Sequence, residues 1–149
     1  MVLFNSVCCK NKAVLDSIRR LSDLGEELID VCKIEEERRK RKDENRKNFR
    51  RSDEEMIYNA KAIIIYLSEE LCVDIVGLYY FELIKKILML NPLIQDKLTV
   101  FMVGNLGFVP FNLAWLNQFV EYRIDNEIDS EYAVNSIRQK YYGKLREVR

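Results

Sequence analysis

Residues 38–51, RRKRKDENRKNFRR, hold nine basic side chains: Arg38, Arg39, Lys40, Arg41, Lys42, Arg46, Lys47, Arg50 and Arg51. Only Asp43 and Glu44 oppose them within the block. The chemistry open to such a run is neutralisation of phosphates, with counterion release and steep salt dependence. Capture of an acidic protein or lipid surface would use the same cations. The chain has 24 basic and 24 acidic residues overall, so a +7 block faces a remainder of −7. Phe49 is the only aromatic in the block and offers little for base stacking. Residues 38–42, RRKRK, also form a basic pentamer of the kind read by nuclear import. The flanking acids at 35–37 and 53–55 compete for these cations and weaken the phosphate reading.

Other chemistries find little support. Histidine is absent, which removes Ser-His and Cys-His pairs, His-based zinc sites and the commonest general base. Cys8, Cys9, Cys32 and Cys72 have no CxxC spacing and resemble no disulfide framework, so a reduced setting is the simplest expectation. Glu69, Glu70 and Asp74 could share a helical face, but two carboxylates usually hold Mg²⁺ only together with substrate phosphates. No glycine-rich phosphate loop occurs. Glu27-Leu28-Ile29-Asp30 resembles the second ExxD element of the all-α MazG-type nucleotide pyrophosphohydrolases, which would imply Mg²⁺ held between helices; the upstream ExxE element is missing. Leu21 to Leu28, LSDLGEEL, resembles the BH3 motif of the Bcl-2 family over eight residues, with Glu26 in place of the usual Asp and Ser17 at the first anchor. Neither resemblance carries residues over. An enzyme, a cofactor, a metal and a small-molecule substrate are not expected.

The elements that would position the basic block read as helices. Val14, Ile18, Leu21, Leu28 and Val31 recur at helical spacing across 11–34, with Gly25 inside at a cost of roughly 1 kcal/mol relative to Ala. Glu35, Glu36, Glu37 and Asp43 stand four residues before Arg39, Lys40, Arg41 and Lys47, the favourable order for helical ion pairs. A charged helical extension over about 35–52 is therefore expected. Ser52 with Glu55 reads as a capping box. Residues 56–76 are apolar nearly all round, and the helical pattern resumes over 78–90. Asn91-Pro92 breaks it and restarts a helix, residues 104–107 form a turn, Pro110 begins another helix, and a last one runs from about Ser130.

With 48% apolar residues, five glycines and two prolines, the expectation is one domain over 1–149. It is expected to be an all-α bundle of five or six helices with a long charged first helix. The start MVLFNSVCCKNK has no basic segment followed by a long apolar stretch, so an intracellular, cytoplasmic setting is expected, nuclear if the source is eukaryotic or viral. Residues 98–120 lack charge and are long enough to cross a bilayer, but Pro110 and a central Gly-Asn-Leu-Gly turn argue against a spanning helix. The functional expectation is a non-enzymatic macromolecular-interaction protein. It should self-associate, or bind a helical partner, because 56–90 and 111–124 are apolar on more faces than a monomer needs to cover. The alternatives are nucleic-acid binding or packaging through 38–51, and a subunit of a larger helical assembly such as a coat or scaffold.

Overall fold

The apolar runs that periodicity assigns to helices are strands. The structure is a computed structural model, described over residues 1–6, 11–41, 47–73, 78–104, 106–107 and 109–147. Among these residues, β1 (Val2–Phe4), β2 (Leu28–Asp30), β3 (Ala62–Leu67), β4 (Leu98–Val103) and β5 (Val120–Ile124) form one parallel sheet in the order β2-β1-β3-β4-β5. The expected all-α bundle is overturned: the fold is α/β and doubly wound. The physical reason lies in β3, where all six residues are buried. A parallel strand covered on both faces carries a continuous apolar run, which periodicity cannot tell from a buried helix. The β-branched run Ile63-Ile64-Ile65 is the one local sign of strand.

Alternation along the strands splits the core into two layers. Leu3, Ile63, Ile65, Leu67, Leu98 and Val100 face one side. That side is covered by α2 (Val31–Lys40), α3 (Lys47–Asn59), α5 (Leu78–Leu90) and the 3-10 segment Phe111–Phe119. Val2, Phe4, Ala62, Ile64, Tyr66, Phe101 and Val103 face the other side, under α1 (Lys12–Ser22) and α6 (Glu127–Glu147). The short α4 (Glu69–Val73) and the 3-10 segment Pro92–Lys97 flank α5. The chain reverses its direction across the sheet between β1 and β3, the switch point of such folds.

Several boundaries move accordingly. The helix expected over 11–34 is α1, a turn, β2 and the start of α2. Asn11 caps α1 by accepting from the backbone N–H groups of Ala13 and Val14. Gly25 sits at φ +75° in the turn after α1, where its freedom to adopt a left-handed conformation is needed. The BH3-like stretch 21–28 thus crosses a helix end, a turn and a strand start, and the ExxD-like pair Glu27 and Asp30 is not on a helix. The charged extension is not one long first helix but α2 and α3, with 42–46 outside the described residues. Ser52 lies inside α3, and its hydroxyl donates to the carbonyl of Phe49 at 2.9 Å, so it caps nothing. Residues 98–120 are β4, a connection, a 3-10 segment and the first residue of β5; among the described residues no helix is long and apolar enough to cross a membrane.

Candidate functional site

The basic block divides between one inward side chain and an outward fringe. Arg38, on α2, enters the space between α2, α3 and α5. Its Nη1 and Nη2 donate to Oδ2 and Oδ1 of Asp53, each at 2.9 Å. Asp53 is 2% exposed, and the same two oxygens accept the hydroxyls of Tyr79 (2.7 Å) and Tyr80 (2.6 Å). Glu35, also buried, is 3.4 Å from Nη1. The guanidinium carbon stands 4.1 Å from the centre of the Phe49 ring, a cation–π contact. Phe49 therefore serves Arg38 rather than a base. Burial pushes the Asp53 carboxyl up, but hydrogen bonds from Arg38, Tyr80 and Tyr79 outweigh it and hold the group below the usual carboxylate range. Burial, then the bond to Asp53, raise both tyrosines.

The fringe is exposed and partnered close by. Lys40 pairs with Glu36 (3.4 Å), Arg41 with Glu37 (3.5 Å), Arg50 with Glu54 (3.1 Å) and Arg51 with Glu55 (3.6 Å), all four residues apart. Arg39 is exposed on α2. Lys42 and Arg46 lie outside the described residues, as does the side chain of Lys47. Arg38, first in the sequence-predicted set, is thus withdrawn from any partner surface. Asp53 is one of the flanking acids expected to compete for these cations, but its pairing with Arg38, fifteen residues away, follows no local spacing rule, and Tyr79 and Tyr80 had no signal in the sequence.

In doubly wound sheets, ligands sit outside the carboxyl ends of the strands at the switch point. At that end, polar side chains tie the strands to one another. The buried Asn5 side chain donates to the Tyr66 carbonyl (3.1 Å) and accepts from the Tyr66 N–H (2.7 Å), bridging β1 to β3. Asp30 Oδ1 accepts from the N–H groups of Ser6 (3.1 Å) and Cys32 (3.0 Å), tying β2 and α2 to β1. Among the described residues, Asp30 Oδ2 is buried without a hydrogen-bond partner. Among the described residues no cluster of three or more Cys, Asp or Glu side chains could hold a metal ion. Cys32 is a buried thiol, while Cys8 and Cys9 and the side chain of Cys72 lie outside the described residues.

The outward feature that remains is apolar. Met89, Leu90 and Leu93, at the end of α5 and the start of the next segment, are 75%, 78% and 74% exposed. Tyr58, at the end of α3, is also exposed; its carbonyl accepts from Lys97 Nζ at 2.6 Å, which ties α3 to the Pro92–Lys97 segment. On the opposite layer, Ile128 and Tyr132 are exposed by 65% and 63%, one turn apart at the start of α6. Compared with protein-family models, curated proteins and solved structures, the chain matches none.

Proposed function

We propose that this chain is a protein-docking domain whose contact surface is the end of α5 and the segment after it. The observation that carries the reading is the adjacent exposure of Met89, Leu90 and Leu93. Exposed apolar residues on soluble proteins are ordinarily scattered singly, and a contiguous group marks a surface that something covers. The ground is narrower than the one in the sequence: β3 and the core beneath α5 account for most of 56–88, and Leu113, Leu116 and Ile124 are buried, which leaves Met89, Leu90 and Phe111 as the most exposed apolar side chains of those two runs. Nucleic-acid binding through 38–51 is the weaker reading. Arg38 is engaged with Asp53, and Lys40, Arg41, Arg50 and Arg51 each have an acid at hand with which a phosphate would have to compete.

The test is a photo-crosslinking amino acid placed at position 90 in cells. It should give a discrete polypeptide adduct that disappears when Met89 and Leu93 are alanine. The same probe at Arg51, which is exposed but lies in the charged fringe, should give none. Equal labelling at both positions, or none at either, would overturn the docking reading.

A further inference from the structure

We infer that a cleft at the amino ends of β4 and β5 binds an uncharged, polyhydroxylated ring the size of a single sugar. This goes beyond the docking reading and does not rest on it. The cleft holds about 320 Å³ and is lined by Gln95, Asp96, Gln118, Phe119, Glu121 and Lys140, around the first residues of the two strands. Small-molecule pockets run upward from roughly 300 Å³, so there is room for one ring and not for a chain.

The floor and one wall are fixed before any ligand arrives. Lys140 Nζ, on α6, donates to the Leu98 carbonyl (3.3 Å), to Thr99 Oγ1 (3.1 Å) and to Glu121 Oε1 (2.9 Å). Thr99 is fully buried and shares a hydrogen bond with the Tyr141 hydroxyl at 3.2 Å. Glu121 Oε2 accepts from the Ser136 hydroxyl at 3.2 Å. Burial pushes the Lys140 ammonium down, but Glu121 and Tyr141 beside it outweigh burial and keep it charged. The Phe119 ring meets Trp115 edge to face, with ring centres 6.2 Å apart. Gln95, Asp96 and Gln118 are exposed, and among the described residues their side chains make no hydrogen bond or ion pair.

These groups select the ligand. An ammonium has three N–H donors, and Lys140 has committed all three within the protein. Asp96 and Glu121 also outnumber it, so an anion finds no free donor with charge behind it. A cation would meet Asp96 but would lie against the Lys140 ammonium, and a single exposed ion pair holds little. It would also leave the N–H groups of Gln95 and Gln118 without an acceptor. An apolar ligand would strip water from these side chains and replace none of the lost hydrogen bonds. A hydroxyl both donates and accepts. It donates to Asp96, or to the lone pairs that Glu121 keeps, and it accepts from the two amides. A saturated ring carrying several hydroxyls satisfies both kinds of group at once, and lays its C–H face on Phe119.

The experiment follows amide signals of the ¹⁵N-labelled chain during separate titrations with glucose, galactose and myo-inositol, each to about 50 mM. At least one should titrate to saturation, with Kd in the range of about 1–10 mM. The signals that move should be the side-chain amides of Gln95 and Gln118 and the backbone from Phe119 to Glu121. Asp96→Ala and Gln118→Ala, at exposed positions where folding is retained, should each weaken binding ~5-fold or more. Phe119→Leu keeps an apolar side chain against the core but removes the flat wall, and should do the same. Raising salt to about 0.5 M should leave Kd unchanged, because the ligand is uncharged. Four results would each overturn the inference: no saturation with any of the three rings, shifts confined to another part of the chain, equal affinity in all three variants, or a tighter, salt-sensitive titration of the cleft by 1,4-diaminobutane or inorganic phosphate. None of these bears on crosslinking at position 90, so the docking reading stands or falls separately.

Discussion

Replacing Asp53 by asparagine should be the most damaging single change of charge in this protein. The carboxylate accepts four hydrogen bonds, two from Arg38 at 2.9 Å and one each from Tyr79 and Tyr80. Asparagine keeps the shape but has one acceptor oxygen. The tyrosine hydroxyl facing the amide nitrogen can rotate to accept from it, whereas the Arg38 N–H on that side has nowhere to turn. The guanidinium, 16% exposed, then keeps only Glu35 as a carboxylate neighbour, at 3.4 Å. Removing one partner of a buried ion pair costs about 3–5 kcal/mol, mostly because the other charge is left uncompensated. Glu35 puts the expectation at the lower end, about 3 kcal/mol. For a domain of this size that corresponds to a fall in Tm of roughly 6–12 °C.

The assay is urea unfolding, with the midpoint shifted and the slope unchanged. Arg41→Gln is the internal control. It removes a charge from the same basic block, but from an exposed pair with Glu37, and should cost less than about 1 kcal/mol. A double replacement, Arg38→Met with Asp53→Leu, should cost less than Asp53→Asn alone, since it removes both charges together. If Asp53→Asn costs no more than Arg41→Gln, the cluster does not hold α2, α3 and α5 together and the reasoning is refuted.

Asn5→Ala should destabilise by about 1–3 kcal/mol, because it deletes two buried hydrogen bonds to the Tyr66 backbone; faster hydrogen exchange at the Tyr66 amide would locate the damage, and unchanged exchange would contradict it. Stability should be flat from neutral pH to about pH 5 and fall as acid is added below about pH 4. The Asp16 carboxyl is held well below its usual range by hydrogen bonds from Ser130, Arg20 and Arg19, and Asp53 is also lowered, so both contribute fully above the unfolded carboxyl pKa and lose that contribution as pH falls through their folded values. Asp16→Asn should therefore flatten the acid limb of the stability curve, and an unchanged limb would show that the Asp16 pairing contributes nothing.

How much of this was legible in the sequence depends on whether an element obeys a local rule. α5 spans Leu78–Leu90, the bounds its own pattern indicates, because one side faces the core with Phe81, Ile84 and Ile87 while the other carries Glu82 and Lys86. Asn91 caps the next segment from the position its type suggests, accepting from the Leu93 N–H, although the segment is 3-10 rather than α. The strands failed because each depends on partners far away. β1 and β2 are three residues each, too short for any period, and exist because Leu3 and Ile29 align between neighbours in the sheet. β3 reads as buried helix until Ile63, Ile65 and Leu67 are known to face one layer and Ile64 and Tyr66 the other.

The same distinction governs the candidate sites. Among the described residues of the basic block, the exposed pairs Glu36 with Lys40, Glu37 with Arg41, Arg50 with Glu54 and Arg51 with Glu55 follow the four-residue spacing of a helix and could be written down from the sequence. That local pairing is itself the argument against a phosphate surface, since a run of bases attracts a polyanion only to the extent that its own acids leave it unneutralised. The inward pair is different in kind. Arg38 and Asp53 meet because α2 and α3 both pack beside α5, and that packing exists only once β3 runs beneath them. The apolar surfaces follow from the fold in the same way. In a helical bundle Met89 and Leu90 would extend the apolar stripe of Ile84 and Ile87 into a core. Here the sheet beneath α5 covers Ile84 and Ile87 and leaves Met89 and Leu90 outside. A residue type that reads as core thus becomes surface because of where the neighbouring strand begins, which makes the exposed end of α5 a consequence of the topology as much as of its own sequence.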